Sequence, residues 1–162
     1  MASLTVWKFD TPDGANQALQ KLQDLAKQQL ITIEDAAVVS WPPGKKKPKT
    51  HQAASTTGAG ALGGAFWGML FGLLFFIPFL GLAIGAAMGA LVGHFSDYGI
   101  SDDFINQVRS KVTEGTSALF VLADQATVDK VADAFKGTKM ELIQSNLTAE
   151  QEAALKKAFG ED

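Results

Sequence analysis

The chain contains no cysteine, which excludes disulfides, thiolate metal sites and thiol nucleophiles and leaves the redox compartment open. It has only two histidines, His51 and His94, and lacks the three or more clustered ligands typical of a zinc site. It has no surplus of positive charge: 14 Lys and Arg face 17 Asp and Glu, for a net charge of −3. A general nucleic-acid binder needs Lys and Arg gathered on one face, so that class is set aside. The first residues, Met1 to Asp10, lack the basic start, apolar middle and small-residue cleavage site of a signal peptide, so the chain is expected to begin in the cytoplasm. The largest absence is internal. No Asp, Glu, Lys or Arg lies between Lys49 and Asp97, while the flanks carry charges every few residues.

The flanks read as ordinary α+β sequence, and 162 residues suit one core. Leu4 to Phe9 alternate as a strand, and Thr11-Pro12-Asp13-Gly14 offers turn and helix-start chemistry. Ala18, Leu19, Leu22, Leu25 and Ala26 recur at helical spacing over 15–30. Residues 31–41 are rich in β-branched side chains and end at Pro42-Pro43-Gly44, which reads as a second strand bulged around Glu34-Asp35. Beyond the apolar block, Ser101-Asp102-Asp103 caps a helix with Phe104, Ile105, Val108 and Val112 on one face. A strand over 117–123, a helix over 127–135 and a strand over 139–144 follow. Thr148 to Gln151 opens a last helix in capping-box style. Two βαβ units of similar length predict a four-stranded ferredoxin-like split βαβ sandwich. Its halves are residues 1–44 and 96–162, separated by a basic linker, 45–57, and an apolar block, 58–95.

Glycine spacing is the most specific signal in that block. Gly60, Gly64, Gly68 and Gly72 form one row at every fourth residue, and Gly81, Gly85, Gly89 and Gly93 form another. In water a helix is penalised by about 1 kcal/mol per Gly relative to Ala. In lipid the backbone must satisfy its own hydrogen bonds, and glycine rows let two helices approach closely. Pro78 divides the block into 58–77 and 79–95, each close to the roughly 17 to 25 residues of a bilayer span. If both βαβ halves share one sheet, the chain must re-emerge on the side where it entered. The block therefore reads as a transmembrane or membrane-embedded helical hairpin turning at Pro78. Its tip, Phe75 to Leu80, has no polar side chain. Backbone around Pro78 then needs cover from neighbouring protein, which favours a homo-oligomer. Lys45, Lys46, Lys47 and Lys49 precede the hairpin and read as lipid head-group contacts, with Trp41 and Trp67 at or near the interface.

Other patterns carry less. His51 and His94 flank the hairpin as a conceivable metal pair or pH sensor, but two interfacial polar residues are the simpler reading. Helix capping accounts for Asp102 and Asp103. Gly58 to Gly64 lacks the ending of a phosphate-binding loop. No nucleophile-elbow motif accompanies the Ser, His and Asp residues.

Phe66-Trp67-Gly68, the Gly-Ala repeats from Pro78 to Gly93, Ser96 to Ile105 and Ser117 to Leu122 together resemble the bacterial membrane-protein family called domain of unknown function 1269. The resemblance extends over nearly the whole chain. It implies a bacterial protein with a split soluble domain and a glycine-rich hairpin, and it brings no catalytic residue, cofactor or activity.

The expected function is therefore non-enzymatic: an oligomeric membrane scaffold or stress-related organiser, with soluble domain and both termini on the cytoplasmic side of the bacterial inner membrane. Membrane lipid and further copies of the chain are the expected partners, with no small-molecule substrate evident. One alternative is an oligomeric particle that holds lipid or another apolar ligand. A small channel is a second, weakened because the block between Gly60 and Gly93 offers no charged residue, Asn or Gln to line a path.

Overall fold

The first strand forms because its side chains alternate. In β1 (Ala2–Phe9), Leu4 and Val6 join one buried cluster while Trp7 and Phe9 join another. A computed structural model describes residues 2–46, 48–52, 67, 70–76 and 99–159. Helix α1 (Gly14–Lys27) buries Ala15, Ala18, Leu19 and Leu22, the stripe of an amphipathic helix. It stops where Gln29 takes a φ of 62° and the Leu30 N–H donates to the Leu25 carbonyl at 3.0 Å. Ile31 and Ile33 are buried on the way into β2 (Asp35–Ser40). That strand starts at Asp35, later than the β-branched run suggests, because the chain must first leave the left-handed turn at Gln29.

A turn through Pro42 to Lys46 leads to β3 (Lys49–Gln52). The hairpin region is described only at Trp67 and from Leu70, ending in a π-helical turn at Gly72–Phe76. Then come α2 (Asp102–Lys111), β4 (Ser117–Asp124), α3 (Gln125–Ala134), β5 (Met140–Asn146) and α4 (Ala149–Phe159). Helix starts follow the expected chemistry. Ser101 Oγ accepts from the Phe104 N–H at 3.3 Å, and the Asp124 carboxylate accepts from the Thr127 N–H at 2.8 Å. Thr148 and Gln151 exchange bonds at 2.9 and 3.1 Å as a capping box.

The fold is α+β, built on a five-stranded antiparallel sheet in the order β3-β2-β4-β1-β5. Each βαβ unit places a strand of the other unit between its own two: β4 lies between β1 and β2, and β1 between β4 and β5. The fifth strand is the departure from the expected four. Lys49 to Gln52 pair with Ala37 to Ser40 inside the stretch read as a linker, and with only polar side chains this segment carries no strand periodicity.

The sheet is covered on both faces. Helices α1 and α3 pack against Trp7, Val38, Leu119, Val121 and Ala123. On the other side α2, Trp67, Leu70, Phe71, Leu74 and Phe75 pack against Leu4, Val6, Val39, Phe120 and Leu122. Burial on both faces explains why β4 reads as a continuous apolar run, Ser117 to Ala123. Among the described residues, no helix is long and apolar enough to cross a membrane, and most of the 58–95 hairpin lies outside those residues.

Candidate functional site

The part of the hairpin that the structure describes is an apolar arm seated on the sheet. Trp67, Leu70, Phe71, Leu74 and Phe75 occur at i, i+3, i+4, i+7 and i+8, one helical stripe, and each is 4% exposed or less. The Trp67 ring stacks on Phe71 with centroids 5.6 Å apart and meets Phe120 of β4 edge-on at 6.2 Å. Phe71 also meets Phe120 edge-on, at 5.2 Å, and Phe75 meets Trp41 at 6.1 Å.

A buried polar contact anchors this apolar surface. The Trp67 indole N–H donates to Asp35 Oδ2 at 3.0 Å, and both residues are 2% exposed. The other oxygen, Asp35 Oδ1, accepts from the Ala36 N–H at 2.8 Å. A buried carboxylate is tolerated only when hydrogen bonds replace water; here the start of β2 and the docked arm supply them. Trp67 thus sits in the protein core, where sequence reasoning had put it near a membrane interface. An acidic residue opening an otherwise apolar strand, together with the stripe from Trp67 to Phe75, is the signal that points to this contact.

The remaining expected site residues are dispersed. Gly72 begins the π-helical turn, half-buried, and a methyl group there would meet nothing within 4 Å among the described residues. Gly60, Gly64, Gly68, Gly81, Gly85, Gly89, Gly93 and Pro78 lie outside the described residues, as do Lys47 and His94. Lys45 and Lys46 are exposed in the turn after β2, and Lys49 is exposed on the edge strand β3. That turn is held by the Trp41 indole, which donates to the Lys45 carbonyl at 2.9 Å, and by the Gly44 N–H, which donates to Glu114. His51 is exposed on β3, opposite Val38. Asp102 and Asp103 occupy the first turn of α2, favourable for the helix dipole. Among the described residues, no three His, Asp or Glu gather as metal ligands.

No curated protein matches the chain, and no solved structure does. Residues 61–160 match a family described as Protein of unknown function (DUF1269), a stretch that begins within the apolar block and takes in the docked arm, α2, β4, α3, β5 and α4. The chain belongs to that family.

Proposed function

We propose that this is a non-enzymatic, membrane-associating assembly protein of the bacterial inner membrane, in which a ferredoxin-like α+β unit on the cytoplasmic side carries a hairpin that pairs with copies of itself through its glycine rows. One observation carries the reading: the charge-free stretch between Lys49 and Asp97 holds two rows of glycine at every fourth residue, a pattern costly to a helix in water and favourable between helices in lipid. Gly72, the one row member described, agrees with it, because the apolar stripe of its arm meets the sheet while a Cβ at the glycine would meet nothing within 4 Å among the described residues. Lys45, Lys46 and Lys49 are exposed just ahead of the hairpin, suited to anionic head groups.

The test is native mass spectrometry with lipid extraction on protein purified in mild detergent. The expected result is a defined oligomer that separates into monomers in Gly68→Leu and Gly85→Leu variants. A monomer indifferent to both substitutions would overturn the reading.

A second reading, a particle or one-leaflet insert that holds lipid, is favoured by a limit on reach. Phe75 and Ile100 belong to the same buried cluster, so with the arm docked only the residues from 77 to 98 are available to reach away from the sheet. That is 22 residues, and two helical arms of about 11 residues extend only about 16 Å, half of the roughly 30 Å hydrocarbon core. With the arm docked, the tip enters one leaflet or a bound lipid pool. Two full spans require residues 67–76 to leave the sheet. Lipid recovered in fixed ratio to protein after delipidating washes supports this version, and its complete removal without loss of the oligomer argues against it.

A further inference from the structure

On the face of the sheet opposite the docked arm, a cleft of about 380 Å³ opens between the end of β1, helix α1 and the turn after α3. This lies within the roughly 300–1,000 Å³ range of small-molecule sites. Its floor is apolar. Phe9 and Phe135 meet edge-on there, with centroids 6.1 Å apart and planes at 86°, and Ala18 adds the α1 wall. The floor exists because residue 14 is glycine: a Cβ at that position would lie 2.5 Å from Phe9 Cβ, so only glycine lets the start of α1 come this close to the ring.

The rim is cationic. Lys21 Nζ lies 5.5 Å from the Phe135 ring centroid and donates to the Ala134 carbonyl at 2.5 Å; an ammonium has three protons to donate. The Lys139 side chain is 91% exposed, with Asp10 Oδ2 at 3.9 Å. Asp10 also lines the cleft and is shared: its Oδ1 accepts from Lys8 at 2.8 Å, the bond that chiefly holds its pKa below the ordinary carboxylate value, and the two lysines around it leave the rim with a surplus of positive charge. Satisfying the last carbonyl of α3 explains where Lys21 points. It does not account for the open cleft beside Lys21, which Lys139 flanks on the other side.

We propose that this cleft binds a small amphipathic anion, a carboxylate, sulfonate or phosphate monoester whose charged head sits between Lys21 and Lys139 while a compact aromatic or aliphatic body fills the cleft between α1 and the turn after α3, above the edges of the largely buried Phe9 and Phe135 rings. The ligand arrives from water, because the cleft and the apolar arm lie on opposite faces of the sheet. This site is independent of the membrane reading, and the cleft is lined by residues of a single chain.

The experiment is ligand-observed NMR with the full chain in detergent micelles, using 4-phenylbutyrate and, as a probe of the same body and opposite charge, 4-phenylbutylamine. Two variants accompany it: Lys21→Met with Lys139→Met, which removes the cationic rim, and Gln17→Trp, which fills the cleft from an exposed position on α1. Thermal unfolding followed by circular dichroism verifies that both variants fold. Saturable binding of phenylbutyrate, weakened tenfold or more in each variant and not shared by the amine, is the expected result. Equal binding of acid and amine, binding unchanged in the variants, or no saturable binding would overturn the proposal. A Gly68→Leu chain that loses its oligomer still has this cleft, so failure here and failure of the assembly reading are separate outcomes.

Discussion

The indole of Trp67 contributes two separable things to the docked arm: ring contacts with Phe71 and Phe120, and a proton donated to Asp35. Trp67→Ala removes both and leaves a cavity on the sheet, at a cost of about 3–5 kcal/mol. Trp67→Phe keeps much of the ring and takes the donor away from a buried carboxylate, costing about 1–3 kcal/mol. Urea unfolding of the two variants is expected to rank them in that order. Asp124 gives a prediction in pH. The Thr127 backbone N–H bonded to its carboxylate holds its pKa below 3.8 in the folded chain. A depressed carboxylate pKa means that the unfolded chain binds the proton more readily. The contribution of Asp124 is therefore present above its unfolded value and lost as pH falls through the folded one. Asp124→Asn keeps a good N-cap and is expected to flatten the acid limb of a plot of stability against pH. Asp124→Ala is expected to lower stability at neutral pH by about 1 kcal/mol.

At the scale of elements, Gly72 separates packing within the chain from packing between chains. A Cβ there meets no described residue of its own protomer within 4 Å, while in a glycine row a side chain would hold two helices apart. Gly72→Leu is thus expected to abolish the proposed oligomer, as read by native mass spectrometry, and to leave the urea midpoint of the α+β unit unchanged. Elements with local signals were readable from the residues alone: the alternation of β1, the stripe of α1, Ser101 at the start of α2 and the Thr148–Gln151 capping box. Strand β3 was not readable, because Lys49 to Gln52, which pair with β2, are all polar and carry no apolar alternation. The docked arm was half readable. A stripe such as Trp67, Leu70, Phe71, Leu74 and Phe75 is equally apolar whether it meets lipid or a sheet, and only the carboxylate of Asp35, 32 residues away in sequence, tells the two apart. The aromatic floor and lysine rim of the cleft have no sequence pattern, since β1, α1 and the turn after α3 meet there only in the folded chain.

For the whole molecule, the competition between sheet and bilayer for residues 67–76 can be read optically. The chain has three tryptophans, so replacing Trp7 and Trp41 with Phe leaves Trp67 as the reporter. Bound to vesicles containing brominated lipid, a docked arm keeps Trp67 in the protein core and its emission is expected to survive. Strong quenching would mean that the arm has left the sheet and that the hairpin has room for two spans. The three layers of helices, sheet and arm make this exchange costly, because releasing the arm uncovers Leu4, Val6, Val39, Phe120 and Leu122 together.

The central pairing of the sheet joins strands more than a hundred residues apart in sequence: Ala2 faces Asp124 and Phe9 faces Ser117. A ribosome therefore delivers the entire charge-free stretch before β4 exists. Until about residue 124 has been made, β1 has no partner across the sheet centre, and Phe120, the ring against which Trp67 and Phe71 rest, is not yet available. Contacts so distant in sequence form late, and apolar segments left waiting for them are exposed to other partners. On the proposed membrane reading, the bilayer has the earlier claim on this stretch during synthesis, and the sheet competes for it only after β4 has been made.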